Sequence, residues 1–363
     1  MLIYIATFAI QMLFWLLIYA RIIFYHPASL KIRKTPVSVI ICARNEEQNL
    51  RKNLPLILNQ QYADFEVVVI NDCSNDGTED FLNELTREYS FLKTTTIKED
   101  KKFRHGKKLA LTIGIKSASH EWLLLTDADC RPESEYWIDR MQRNFTSGTS
   151  IVLGYGGFYT HKGLLNIIIR FDTLYIAMQY FSYALAGLPY MGVGRNLAYR
   201  KELFFNNKGF ASHSHLASGD DDLFVNETAT AKNTRIELRP ESHTRSEPKQ
   251  SWADWYYQKK RHLTTGPRYK PLIKFLLGFE NLTRILFYSL FLYLAIKATW
   301  IMVILGLFII RLTILLSFFK IMSLRLNEKH LLVPSPILDF LLPFLNIFIL
   351  FSNYVEARRR RWK

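Results

Sequence analysis

The sequence is short of cysteine and of acidic charge, and each shortage excludes a class of protein. Three cysteines in 363 residues (Cys42, Cys73 and Cys130) form an odd set without metal-type spacing. Neither a disulfide framework nor a cysteine metal site is expected, and free thiols suit a reducing compartment. Each sits at the end of a predicted strand, where a small packing residue is the ordinary reading. Asp and Glu number 32 against 47 Lys and Arg, for a formal charge of +15. A nucleic acid, an anionic membrane surface or a phosphate-rich substrate would answer such a charge. No nucleic-acid-binding module is present. The cations instead gather beside apolar runs, at Lys31, Arg33 and Lys34, at Lys259, Lys260 and Arg261, and at Arg358 to Arg361. That placement favours a membrane surface. No long repeat or low-complexity tract is visible.

Long apolar runs occupy both ends. Residues 2–24 are nearly unbroken hydrocarbon, long enough to cross roughly 30 Å of bilayer as a helix. No basic region precedes this run and no small-residue cleavage site follows it. Residues 1–26 therefore read as a transmembrane anchor rather than a cleaved signal peptide. Arg21, His26, Lys31, Arg33 and Lys34 come next, so the positive-inside rule sets the following domain in the cytoplasm of a bacterial-type cytoplasmic membrane. Residues 271–363 form a second membrane region. The stretch 282–319 fits two spans broken near Lys297-Ala298, despite Arg284 and Arg311. A third apolar segment, 335–355, contains Asp339 and Pro343 and leads into the arginine tract. A third crossing would put those arginines outside, so the segment is read as spanning or re-entrant.

Between the apolar ends, residues 36–270 read as one cytoplasmic α/β domain. Val37 to Cys42, Glu66 to Ile70, 93–97 and Trp122 to Thr126 are β-rich runs. Helical patterns over 46–59, 77–89 and 107–118 separate them. Apolar strands alternating with helices predict a mainly parallel sheet covered on both faces, with ligands outside the carboxyl ends of its strands. Residues 150–270, punctuated by glycine and aromatic residues, read as a continuation that builds the acceptor side of the cleft.

Acidic residues collect at the predicted strand ends. Asp72 and Asp76 follow the second strand, and Asp127-Ala128-Asp129 follows the last. Side chains at i and i+2 leaving a strand point the same way, so Asp127 and Asp129 can share one hard divalent cation, Mg²⁺ or Mn²⁺. A solvated turn is the alternative for that pair. Ser218-Gly219-Asp220-Asp221-Asp222 crowds like charges, which raises the pKa of at least one member and suits a general base. The same run also suits a helix N-terminus. Gln258-Lys259-Lys260-Arg261-His262 offers cations to a leaving diphosphate, or else forms a juxtamembrane basic belt. His105-Gly106-Lys107-Lys108 opens a helix where phosphate or a base can be met. Gly192-Val193-Gly194-Arg195 echoes a dinucleotide fingerprint, but lies far from the first strand, so a nicotinamide cofactor is not expected.

Taken together, these motifs resemble the family 2 inverting glycosyltransferases of the GT-A fold, the group containing cellulose, chitin and hyaluronan synthases. The resemblance spans about residues 36–265. It implies a nucleotide-contact loop at Ala43, Asn45 and Glu46 and a uracil contact at Asp72. It implies a nucleotide contact at Lys107, and a metal and diphosphate motif at Asp127 and Asp129. Gly219-Asp220-Asp221 is similar to the motif that carries the base. With Asn226 also matching, the base is Asp221, and a one-residue slide of the alignment makes it Asp220. Gln258 and Arg261 match the family's Gln-x-x-Arg-Trp signature, with His262 replacing the tryptophan that helps line the acceptor site of processive synthases. Gly192 to Arg195 corresponds to an acceptor-contacting segment.

The resemblance thus implies a metal-dependent hexosyl transfer from a nucleotide-sugar, with a UDP-sugar expected, to a lipid, a lipid-linked glycan or a surface polysaccharide. A processive polysaccharide synthase is an alternative of the same class, and a glycoside hydrolase working with paired carboxylates is a rival enzyme. A non-catalytic membrane scaffold that binds sugar nucleotides is the reading from another class.

Overall fold

In the computed structural model, residues 1–27, 34–98 and 106–361 are described; Lys31, Arg33 and His105 lie outside them. The chain folds into two compact units, one of Pro27–Tyr159 with Pro189–Glu247, the other of Met1–His26, Thr160–Leu188 and Pro248–Lys363. Each is described by itself.

The first unit is built on a seven-stranded sheet of order β3-β2-β1-β4-β8-β6-β9. Its strands are β1 (Val37–Ala43), β2 (Phe65–Asp72), β3 (Leu92–Ile97), β4 (Trp122–Asp127), β6 (Ile151–Leu153), β8 (Leu197–Arg200) and β9 (Thr234–Ile236). β1 pairs parallel with both β2 and β4, and β2 pairs parallel with β3. β8 runs antiparallel to its neighbours β4 and β6. A small second sheet joins β5 (Cys130–Pro132), β10 (Thr244–Ser246) and β7 (Gly156–Phe158). The continuous apolar runs have the expected consequence: Val39, Ile41, Val67, Val69 and Leu124 are all fully buried in one core. Helices Glu47–Leu58, Thr78–Glu88 and Lys107–Ser117 follow β1, β2 and β3.

Strand order reverses about β1, which has β2 on one side and β4 on the other. The carboxyl ends of β1, β2 and β4 therefore surround the topological switch point. One glycine sets how closely a helix approaches that point. A Cβ at Gly114 would come within 2.8 Å of Ile70 and 2.9 Å of Ile40. Helix 107–117 thus packs directly on β1 and β2 and brings its first residue, Lys107, over their ends.

The second unit is helical. Leu2–Ile23, Pro271–Ile296, Ile301–Arg325 and Ser335–Val355 are each long and apolar enough to cross a membrane. The chain is a membrane protein on this ground. Leu164–Leu185 and Trp252–His262 complete the unit. The grouping differs from the sequence reading of 36–270 as one domain, since 160–188 and 248–270 join the apolar helices. Helix 164–185 also escapes the pattern of short irregular runs expected over 150–270. Its polar side chains carry no solvent stripe, because Asn166, Arg170, Asp172 and Gln179 are all buried. Arg170 pairs with Glu328 at 2.5 Å, and Asp172 with Lys259 at 2.6 Å. Lys259 is accordingly a buried partner rather than part of a basic belt.

Candidate active site

The loops after β1 and β2 are fastened to each other. Asn45 and Cys73, neither of them glycine, adopt φ of 56° and 55°. Such backbone persists only where its surroundings hold it. Here the Asn45 amide donates to Ser74 Oγ at 2.9 Å, and the Asn75 amide donates back to Asn45 Oδ1 at 2.8 Å. The Glu46 amide donates to Thr78 Oγ1 at 3.3 Å, and Gly77 to the Glu47 carboxylate at 3.1 Å. Asp72, at the end of β2, is buried, and its Oδ1 has no hydrogen-bond partner among the described residues. A buried acceptor left unpaired is costly, so a donor from a ligand is the natural complement.

Asp127 ends β4, and Asp129 stands two residues on. Asp127, Asp129 and Cys130 bring one donor atom each to within 4.8 Å of one another. Burial, and then the fields of Asp129 and Asp127, push the Cys130 thiol well above its ordinary range. Sulfur is also a poor match for a hard cation, so the two carboxylates are the candidate ligands of the group. Hard oxygen donors with room for water and phosphate oxygens fit Mg²⁺ or Mn²⁺. Burial, with Asp127 beside it, raises the Asp129 carboxyl to about 6, and the positive field of Arg195 opposes that rise.

Lys107 reaches two carboxylates from the start of its helix. Its Nζ lies 2.7 Å from Asp127 and 3.1 Å from Asp220. This separates the neighbours Asp220 and Asp221. For Asp220, burial works upward, but Lys107 outweighs it and holds the carboxyl below its ordinary value. Asp221 has the opposite balance. Burial, then Asp220 and Asp222, push it up to about 7. Its Oδ2 accepts from the Gly194 amide at 2.7 Å and its Oδ1 from the Asp222 amide at 2.7 Å. Each oxygen keeps a further lone pair. Asp221 is also the N-cap of helix Asp222–Thr228, so the acidic run does stand at a helix N-terminus. Lys107, Asp127, Gly194, Asp220 and Asp221 line a cavity of about 10 Å³, room for about one water.

Two residues of this unit take parts that the motifs did not suggest. Arg195 lies 4.1 Å over the ring of Phe158 and donates to Gly157 O and Ser246 Oγ, so its charge is fixed beside Asp129. A cation directly after Gly-x-Gly was the available signal. Lys108 donates from Nζ to the carbonyls of His213, Leu216 and Ser218 at 2.6, 3.1 and 2.9 Å. It ties helix 107–117 to the loop that leads into Asp220 and Asp221.

The structure thus gathers Lys107, Asp127, Asp220 and Asp221 into one cluster, with Asp129 two residues from Asp127. Ala43, Asn45, Glu46 and Asp72 stand at the adjoining strand ends. Gln258, Arg261 and His262 belong to the helical unit, on helix 252–262, with Arg261 and His262 exposed and Gln258 half-buried.

Residues 38–204 match the family model described as Glycosyl transferase family 2. The probable glycosyltransferase YdaM of Bacillus subtilis is 27% identical over 264 residues, covering 68% of this chain and 59% of that protein. The poly-beta-1,6-N-acetyl-D-glucosamine synthase of Staphylococcus epidermidis is 29% identical over 111 residues, covering 30% of this chain and 26% of that protein. The chain therefore spans less than two thirds of the length of these curated relatives. Among solved structures, the mannosyltransferase PcManGT of Pyrobaculum calidifontis, in complex with GDP-Man and Mn²⁺, superposes with a TM-score of 0.59 at 18% identity. That likeness covers 93% of this chain and 97% of that one, and it is one of fold.

Proposed function

Because residues 38–204 make this chain a family 2 glycosyltransferase of the GT-A fold, we propose that it transfers a sugar with inversion from a UDP-sugar to a membrane-associated lipid or glycan acceptor. The observation that carries the reading is the divided pair Asp220 and Asp221. One carboxylate is committed to Lys107, and its neighbour, with a pKa near neutrality, accepts from two backbone amides and feels Lys107 only at longer range.

Asp221 is the base. It takes the proton from the acceptor hydroxyl as that oxygen bonds to the anomeric carbon and the bond to the nucleoside diphosphate breaks. Asp129, with Asp127, would hold Mg²⁺ or Mn²⁺, which supplies charge neutralisation at the diphosphate. Lys107 contributes a cation beside the same group, and Arg261 is assigned the leaving-group side by its match to the family's signature. The unpaired oxygen of Asp72 receives an N–H from the nucleobase, and the fastened loop of Ala43, Asn45 and Glu46 flanks the nucleotide. A uracil N3–H would meet that oxygen.

The catalytic domain is assigned to the cytoplasmic side. Helix Ser335–Arg361 is read as re-entrant, because Ser352 and Asn353 bond to Tyr256 and Lys260 on helix 252–262, ahead of the next span. That keeps Arg358 to Arg361 on the catalytic side, as the positive-inside rule asks. Processive synthesis is the second reading, favoured by the likeness to a polymer synthase and opposed by His262 in place of tryptophan.

The test is UDP release from labelled UDP-sugars by the purified full-length protein. Wild type should release UDP in a manner lost on chelation and restored by Mg²⁺ or Mn²⁺. Undiminished transfer after thorough chelation would remove the role given to Asp127 and Asp129. Asp221→Asn should abolish transfer and still bind donor; near-normal turnover in that variant would disprove the assignment of the base.

A further inference from the structure

At the C-terminal end of helix 301–325, a cavity of about 270 Å³ is lined by Lys320, Ser323, Asn327, Lys329 and His330, among others. The helix itself has apolar composition over its span, so the depth of the cavity along it can be read. Arg325, its last residue, donates to the backbone carbonyls of Ile23 and Tyr25 at 2.8 and 2.9 Å. Two apolar helices, 2–23 and 301–325, thus end at one level. The cavity lies at that common end, the level at which two helices of membrane-spanning length and composition stop.

Its chemistry is cationic and hydrogen-bonding. Lys320 and Lys329 are exposed, and Lys320 lies five residues inside the helix end, within reach of the interface by snorkelling. Glu328 also lines the cavity, but it is buried and its carboxylate is bound by Arg170 Nε and Nη2 at 3.0 and 2.5 Å. Its charge is matched, which leaves the lysines to set the sign. Arg170 also donates to the Lys329 carbonyl at 3.0 Å and so fixes the loop from beneath. That loop holds Asn327 and His330 at φ of 51° and 64°. Non-glycine residues keep such conformations only where the structure enforces them. Ser323 lines the cavity, and its buried Oγ has no partner among the described residues. Two cations and an unsatisfied hydroxyl around one small space call for an anion with several acceptor oxygens.

We propose that this cavity binds the phosphate group of an anionic lipid. Lipid is favoured over phosphate in solution because the site sits at the common end of two membrane-length helices. A volume near the lower limit of ligand pockets, about 300 Å³, suits a headgroup phosphate and its immediate substituent. The proposal is independent of the catalytic reading.

The test reconstitutes the full-length protein in nanodiscs of phosphatidylcholine with phosphatidylglycerol and counts retained lipid by native mass spectrometry. Wild type should keep phosphatidylglycerol in preference to phosphatidylcholine. Lys320→Gln with Lys329→Gln should lower that retention by about tenfold or more. Ser323→Ala, which removes no charge, should lower it about threefold and keeps the test decisive if the double variant misfolds. Lys297→Gln, in the turn between helices 271–296 and 301–325, should change nothing. Unaltered retention in the double variant and in Ser323→Ala, an equal loss in Lys297→Gln, or equal retention of phosphatidylcholine would each overturn the proposal. Displacement of the lipid by inorganic phosphate at comparable concentration would assign the site to a soluble anion and overturn it too.

Discussion

Both units bury charge, and they do so in opposite ways. In the α/β unit, carboxylates converge from the ends of β2 and β4 and from a loop, and their balance is unequal. Lys107 answers Asp127 and Asp220, Asp221 is crowded by like charges, and Asp72 keeps an unpaired oxygen. In the helical unit, buried charges are matched across helices. Arg170 meets Glu328, Lys259 meets Asp172, and Asp339 lies between Arg284 at 3.0 Å and Arg311 at 2.9 Å, with the Tyr288 hydroxyl at 2.6 Å. Water near the strand ends tolerates an unbalanced cluster, whereas hydrocarbon leaves an ion no partner but another side chain. Unequal charge marks the proposed reacting region, and matched charge marks the scaffold.

Charge-neutral substitutions in each unit test that contrast most directly. The largest effect is expected for Asp221→Asn, a loss of about a thousandfold in kcat with donor affinity and thermal midpoint nearly unchanged. For Asp339→Asn the effects reverse. Two arginines would remain buried against one neutral amide, and removing one partner of a buried pair typically costs about 3–5 kcal/mol. The thermal midpoint in detergent should fall by several degrees, while UDP release per folded molecule should stay within about twofold. If Asp339→Asn left the midpoint unchanged and cut turnover instead, the division between the two units would collapse.

A milder perturbation is pH. A base works deprotonated, and the Asp221 carboxyl is raised to about 7. Activity should therefore climb as pH rises through about 7 and fall about tenfold for each unit below it. An ordinary carboxylate would place that limb near 4. A flat kcat/KM between pH 5 and 8 would exclude Asp221 as the titrating base.

How much of this was legible in the sequence follows the same division. Val37–Ala43, Phe65–Asp72 and Trp122–Asp127 announce themselves because strands buried on both faces are unbroken apolar runs. The acidic residues after them stand out against that background. The membrane helices are legible for a similar reason, as hydrocarbon at matching length. Helix 164–185 was not, because Arg170, Asp172 and Gln179 interrupt its apolar run on opposite sides, and only their partners, far away in sequence, show them to be buried. Nor does sequence order reveal that Lys107 takes Asp220 and leaves Asp221. That depends on a helix brought close by Gly114 and on an amide supplied by Gly194. The position of Arg195 beside Asp129 and the unsatisfied Ser323 are likewise products of tertiary contact.

The smallest expected effect concerns Lys108, which the motifs paired with Lys107 and the structure separates from it. Lys107 points its ammonium at carboxylates; Lys108 spends all three of its donors on the carbonyls of His213, Leu216 and Ser218. Those carbonyls belong to the loop before Gly219, so Lys108 acts on Asp220 and Asp221 by fixing the segment that carries them, and its positive field also helps hold Asp220 down. Lys108→Gln keeps part of the hydrogen bonding and removes the charge, so turnover should fall only about threefold to tenfold. Donor binding should be nearly untouched, since Asp72, Asp127 and Lys107 keep their positions. A role in holding the loop also predicts that the acid limb of the pH profile shifts, because the crowding of Asp221 by Asp220 and Asp222 depends on that loop. A lysine that contacted the diphosphate directly would behave differently, raising the donor KM and leaving the limb in place. Measuring KM and the pH limb together on Lys108→Gln therefore separates a residue that positions the base from one that belongs, with Lys107, to the charged cluster itself.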